Sequence, residues 1–331
     1  MTSSSLNRRA VLAAGAGLAA GVLSPSFAAE QRKMTIMADY FGALLNTSVL
    51  AAGLEKGYYE APEVAVSNVV TGGGGGTAVR NMVGGNIEYG VIGTSAALTA
   101  IREGIDIRIV HGGIRTMEDL FWVTMPNSGI KSIQDLKGKK IGFTRPKSIS
   151  ETMAKWKLRK AGMEGQAQLV SLGAVGAGLS ALESGGVDAA LILEPLWSSR
   201  KDRYRIAFDL SELPPMTQMV GVATGKMIKE QPDALRALVR AWEKTIAFVY
   251  ANGDETAAIV AKRFPQTVTP EVANSAVKSL QKIRYWSRGD IDMAGLNFWV
   301  ESMREQGEWT GPANLAGMVN DTFLSPEFRR T

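Results

Sequence analysis

Several passages of the chain place polar, aromatic or glycine residues directly after a short apolar run. Thr71-Gly72-Gly73-Gly74-Gly75-Gly76-Thr77 is the most unusual of them. It follows a strand-like segment and opens a helix. The backbone there can approach a ligand closely, and the helix start offers unpaired N–H groups to an anion. Thr71 and Gly74 are its candidate contacts. The run lacks the Lys-Ser/Thr ending of a P-loop, and a glycine homopolymer matches a dinucleotide fingerprint trivially. Gly93-Thr94-Ser95 leaves hydroxyl and N–H donors at a second helix start, with Thr94 or Ser95 expected to cap it. Thr144-Arg145-Pro146-Lys147-Ser148 leads into a third, where Ser148 and Glu151 have the spacing of a capping box. Arg145 there is a counter-charge for a carboxylate or sulfonate. Glu194-Pro195 ends another strand, with Trp197 just beyond. Glu194 suits backbone amides, an amine on the ligand, or Arg145. Tyr40 and Phe41 supply an aromatic wall after the first strand, and Arg115 is a further cationic candidate near a crossover.

Residue types that are scarce exclude other chemistry. With no cysteine, the chain has no thiol nucleophile, disulfide or thiolate metal site, and one histidine permits no paired-histidine metal centre. His111 ends the apolar run Ile107–Val110, no serine elbow accompanies it, and it reads as a hinge-side polar residue. The expectation is a non-catalytic protein without cofactor or metal.

The elements that must hold these loops alternate short apolar strands with amphipathic helices, the pattern of α/β layers. Strands are expected at Met34–Met37, Val64–Val70, Ile87–Ile92, Ile107–Val110, Lys140–Phe143, Gln168–Leu172 and Ala189–Leu193. Helices are expected near Ser48–Lys56, Thr77–Val83, Ser95–Arg102, Ser150–Ala161 and Gly178–Glu183. From Lys226 the chain reads as almost wholly helical, with Leu235, Leu238, Val239, Trp242 and Ile246 on one buried face. A faint repeat at an offset of one hundred residues aligns Val70-Thr71 with Val170-Ser171, Gly76 with Gly176, Gly85 with Gly185 and Ile87-Glu88 with Val187-Asp188. It suggests two lobes carrying the same unit and facing each other across a cleft. The candidate loops all follow the carboxyl ends of strands, where open α/β sheets bind ligands.

Asn7-Arg8-Arg9-Ala10-Val11-Leu12, an Ala/Gly-rich apolar run and Ser26-Phe27-Ala28 have the form of a twin-arginine export signal over residues 1–28. Cleavage is expected after Ala28. The run Val11–Val22 is too short to span a bilayer. The formal charge falls from +5 to +3 when Arg8 and Arg9 leave with no acids, too mild a balance to argue for nucleic acid or an acidic membrane surface. The mature chain is expected to be a periplasmic monomer with no membrane insertion.

The chain resembles the solute-binding proteins of ABC importers, in the nitrate, sulfonate, taurine and pyrimidine-precursor group. The resemblance runs from Met34 to about Phe323. It is carried by Ala52-Gly53-Leu54-Glu55-Lys56-Gly57-Tyr58-Tyr59, Gly85-Asn86-Ile87-Glu88-Tyr89-Gly90, Ile133–Gly142, Val187-Asp188-Ala189-Ala190, Glu194-Pro195 and Glu305-Gln306-Gly307. It implies an α/β, two-lobed type II periplasmic-binding-protein fold with a helical C-terminal region. One lobe would combine residues 34–114 and 215–331, and the other residues 115–214. It also implies capture of a ligand between the lobes and its delivery to an ABC permease and ATPase complex; the expected ligand is a small organic anion, a sulfonate or aromatic carboxylate. A periplasmic sensor, or an enzyme like a pyrimidine-precursor synthase, would share the architecture.

Overall fold

The computed structural model describes residues 31–42, 44–214 and 216–330. The expected export signal and its cleavage point lie outside them. The first five strands are β1 (Arg32–Ala38), β2 (Glu60–Ala61), β3 (Val64–Thr71), β4 (Tyr89–Gly93) and β5 (Ile107–Ile114). They are followed by β6 (Phe121–Thr124), β7 (Lys140–Phe143), β8 (Gln168–Ser171), β9 (Ala189–Ile192), β10 (Arg205–Asp209) and β11 (Met219–Thr224). One sheet has the order β2-β3-β1-β4-β11-β5, the other β10-β6-β9-β7-β8.

The one-hundred-residue repeat is visible in this topology. β3 and β4 flank β1 in parallel, as β8 and β9 flank β7. An antiparallel strand follows in each sheet, β11 beside β4 and β6 beside β9. A further antiparallel strand then stands beside each of those, β5 and β10. Val70-Thr71 and Val170-Ser171 end the equivalent strands β3 and β8. The inner parallel strands β4 and β9 are buried along their whole length, which is why both read as continuous apolar runs.

All seven expected strands occur, shifted by a few residues at most. The four that the sequence pattern did not indicate, β2, β6, β10 and β11, all join their neighbours antiparallel. They do not alternate with helices, so the strand–helix rhythm carries no sign of them. From Gly225 onward the described chain is mainly helical, in Pro232–Ala251, Gly253–Arg263, Pro270–Lys282 and Met293–Glu305. Leu235, Leu238, Val239, Trp242 and Ile246 are fully buried on one face of Pro232–Ala251. His111 is a core residue of β5 rather than a hinge-side one, stacked on Trp242 with 5.1 Å between ring centroids. Its Nδ1 is 2.8 Å from the Gly112 carbonyl, which can only accept, so Nδ1 carries the proton and Nε2 accepts from the Tyr89 hydroxyl at 2.7 Å. Burial lowers the imidazole to about 4, so it stays neutral at ordinary pH.

The chain passes between the sheets twice, from β5 to β6 and from β10 to β11, and the two crossings are tied together. Met216 N–H donates to the Arg115 carbonyl and Gln218 N–H to that of Ile114, each at 2.7 Å. Beside them the buried Asp119 carboxylate accepts from Gln218 Nε2 at 2.8 Å and from the Tyr285 hydroxyl at 2.7 Å. Burial raises Asp119 to about 7, against the pull of those two bonds.

Candidate functional site

The exits of the parallel strands from both sheets meet around a cavity of about 40 Å³. One water-sized group needs about 10–15 Å³ on this measure, so there is room for about three or four. Asp39 and Tyr40 enter from the end of β1, Gly74 and Gly75 from the glycine run, and Gly93 and Ser95 from the end of β4. Opposite them stand Thr144, Ser148 and Ser150 beyond β7, Val175 beyond β8, and Leu191 and Leu193 at β9. Asn46, Gln218 and apolar side chains complete the wall. Asp39 is the one charged residue in this lining, which contains no lysine or arginine.

The connections after β3, β4, β7 and β8 each lead into a helix, so four helices begin at this cavity. They are Gly76–Gly84, Thr94–Arg102, Ile149–Lys160 and Val175–Glu183. Each start carries N–H groups with no partner inside its helix and the positive end of the macrodipole. Two come from each sheet, so a negative group seated here is stabilised from both sides without any cationic side chain.

The structure brings some of the expected residues to this cavity and places others elsewhere. Tyr40, Gly74, Ser95 and Ser148 line it. The Tyr40 phenol is pushed up to about 12 by burial and by Asp39, against the pull of Thr144 and Arg145. Ser148 caps its helix by accepting from Glu151 N–H at 3.3 Å, while Glu151 reaches back to Lys147 N–H at 2.6 Å. Neither Thr94 nor Ser95 caps the next helix. Gly93 holds that position, and both hydroxyls are buried without a hydrogen-bond partner among the described residues, Thr94 behind the lining.

The remaining candidates make structural contacts outside the lining. Thr71 donates its hydroxyl to the Asp39 carbonyl at 2.8 Å. Phe41 packs edge-on against Phe264 at 5.0 Å, and Trp197 stacks on Phe121 at 4.9 Å. Arg145 is not a counter-charge in the cavity. Its Nε donates to the Gly173 carbonyl at 2.7 Å and its Nη1 to that of Gly72 at 3.4 Å, so the guanidinium joins the two halves through the backbone. Glu194 adopts the first of its anticipated roles. It accepts from Ser198 N–H at 3.0 Å and Ser198 Oγ at 2.9 Å, and burial holds its carboxyl above the usual range. Arg115 faces a separate surface pocket with Asp290 and Asp292.

Asp39 was not among the expected residues, although it directly precedes Tyr40-Phe41 at the end of β1. It is 2 % exposed. Oδ2 accepts from Gly93 N–H at 2.9 Å, and the backbone carbonyl accepts from Gly73 N–H at 2.8 Å. Oδ1 has no partner among the described residues. Burial raises its carboxyl to about 7, the Gly93 bond opposing. An acid directly after a strand and before an aromatic pair was the available signal; its burial was not.

The two sheets, the twin strand order and the cleft between them are those of a periplasmic binding protein. The alkanesulfonate-binding protein SsuA from Xanthomonas axonopodis pv. citri, solved bound to MOPS, superposes with a TM-score of 0.74 at 16% identity, over 88% of this chain and 99% of that one. The desulfurization enzyme DSZB also superposes, at a TM-score of 0.64 and 16% identity over 88% and 97%, so the fold serves both binding and catalysis. In sequence, a Brucella abortus (strain 2308) chain whose name assigns it a binding role is 29% identical over 234 residues, 68% of this chain and 69% of that one. A family model described as NMT1/THI5 like matches residues 46–256, more than half of the chain and both walls of the cavity, and the protein belongs to that family.

Proposed function

We propose that the protein is the solute-binding component of an ABC importer, working in the periplasm. It captures a small organic anion between two lobes and hands it to a membrane permease with its ATPase. The lobes are residues 34–114 with 215–331, and residues 115–214. The single observation that carries the ligand reading is the meeting of four helix starts, two from each sheet, around one cavity. An anion that touches all four favours the closed arrangement, because each half alone supplies only two of them. The tied crossings between β5 and β6 and between β10 and β11 are the place for the hinge.

The cavity's size favours a compact aliphatic carboxylate or sulfonate over an aromatic one, which would hold the halves further apart. A catalytic reading finds little support. The one histidine is buried and neutral in the core, and the lining sets no serine or threonine beside it. No helix among the described residues is long and apolar enough to cross a membrane.

A thermal-shift panel of aliphatic and aromatic carboxylates, sulfonates and nitrate tests the reading. Ligand at a hundredfold excess over its dissociation constant adds about 2.7 kcal/mol, a shift of a few degrees. A saturable shift with small anions, and uptake of the same compound lost on deletion of the gene, are expected. No shift with any anion would overturn anion capture. Normal uptake by the deletion strain would overturn the transport role.

A further inference from the structure

The Glu305-Gln306-Gly307 turn, one of the passages that carry the resemblance, takes no part in the cavity. It ends the helix Met293–Glu305 and meets Ile149–Lys160, a helix of the second sheet's half. Gln306 Nε2 donates to the Thr152 carbonyl at 3.3 Å, and Phe298 packs on Trp156 with 5.8 Å between ring centroids. Just past the turn, Glu308 pairs with Lys155 Nζ at 2.6 Å, and Lys155 also pairs with Glu151 at 3.0 Å. Lys147 Nζ, immediately before the same helix, meets Glu103 at 2.9 Å. Arg102 joins the two sets. It donates to the Glu308 carbonyl, lies over the Trp309 ring at 5.2 Å and reaches Glu103 at 3.7 Å. Glu151 closes the ring by accepting from Lys147 N–H.

Two ion pairs thus cross between the halves. Each takes its lysine from residues 115–214 and its glutamate from residues 34–114 or 215–331, and none of the four lines the cavity. An isolated exposed pair contributes little. Here Lys155 and Glu308 are partly buried, and Arg102 and Glu151 link both pairs into one network. We propose that this network is an ionic clasp, which holds the halves together from outside the cavity and makes their opening sensitive to ionic strength. Opening parts Lys155 from Glu308 and Lys147 from Glu103, and leaves Lys155 with Glu151 of its own helix. The work of that separation is electrostatic and falls as salt screens the charges. This inference rests on capture by closure, as read above, and is independent of which solute is captured.

The test needs no solute. The chain has no cysteine, so Asn81→Cys and Ser180→Cys, both at exposed positions, put one fluorescent dye on each half. Single-molecule energy transfer on the solute-free protein then reads the distance between the halves. Raising sodium chloride from about 20 mM to about 500 mM is expected to raise the ratio of open to closed molecules about fivefold. Lys155→Met should show the high-salt ratio already at low salt, while Lys155→Arg, which keeps the charge, should respond as the parent does. Two populations that salt does not move, or a folded Lys155→Met that responds as the parent does, overturn the clasp and leave closure standing. A single distance in every chain and at every salt concentration overturns the two-state closure on which the clasp rests. The salt titration of the parent chain and of Glu308→Gln decides even if Lys155→Met does not fold.

Discussion

The end of β1 and the end of β7 occupy the same place in two copies of one topology, and they do opposite things. After β1 comes Asp39, an acid with no cationic partner among the described residues, held in the cavity wall by Gly93 N–H. After β7 come Thr144 and Arg145. The threonine enters the lining, but the arginine turns away and binds the carbonyls of Gly173 and Gly72. The charge most prominent in the sequence therefore ties the two halves together, and the one passed over stands in the cavity lining. In a repeat, topology fixes where a side chain starts. Whether it reaches the cleft or the opposite wall depends on what the other copy presents.

What the first half presents to Arg145 is glycine. Gly73, Gly74 and Gly75 all have left-handed φ values, 65°, 88° and 59°. A Cβ on Gly73 would come within 2.9 Å of the Arg145 guanidinium, and one on Gly74 within 2.3 Å of the Tyr40 hydroxyl. The run thus makes room for contact between the halves, a use distinct from cradling an anion.

The sharpest way to break this contrast is Gly74→Val, which combines a left-handed backbone with a side chain driven into Tyr40. Solute affinity should fall by about a hundredfold in titration while the isolated fold survives by circular dichroism. Affinity within about threefold of wild type would mean that the halves do not need this approach.

Asp39→Asn probes the other side through stability. Folded Asp39 keeps its proton to about pH 7, whereas the unfolded chain releases it near 3.8. Its contribution is therefore fully present below the unfolded value and is lost as pH rises through about 7. Asp119 has the same sign, and His111 the opposite, since its folded value is lowered to about 4 and its contribution is lost as pH falls through that value. Both are common to the two proteins and cancel in the difference. Between pH 4 and 8 the variant should gain on wild type by on the order of 4 kcal/mol in chemical denaturation, since folding raises the Asp39 carboxyl from 3.8 to about 7. Parallel profiles would show that Asp39 is not a buried, unpartnered acid.

Arg145→Ala should have the smallest effect, and its pattern matters more than its size. Removing bonds to two carbonyls is expected to speed solute release about fivefold in stopped-flow, by the same factor for every solute, because Arg145 touches none of them. A loss confined to one class of anion would restore it as a ligand residue.

The strand exits, the helix starts and the twin lobes were legible in the residues because they rest on local rules. Apolar runs mark parallel strands buried on both faces, glycines and serines mark turns and caps, and periodicity marks the face of Pro232–Ala251. Tyr40, Gly74, Ser95 and Ser148 reach the cavity for that reason: each directly follows a strand or opens a helix. The antiparallel strands were not legible, since β6 and β10 pair with each other across some eighty residues that carry no local sign of the pairing.

By itself, then, the sequence determined the α/β class, the repeat and the set of loops from which a site could be built. Only the tertiary structure decided which side chains on those loops enter the site. Arg145 found a carbonyl on each wall, Glu194 found the start of its own helix, and His111 disappeared into the core against Trp242. Asp39, in the cavity lining, was left with one buried oxygen that has no partner among the described residues. The reason is physical: position after a strand is a property of neighbours in the chain, but the partner that satisfies or strands a charge comes from residues far away in it.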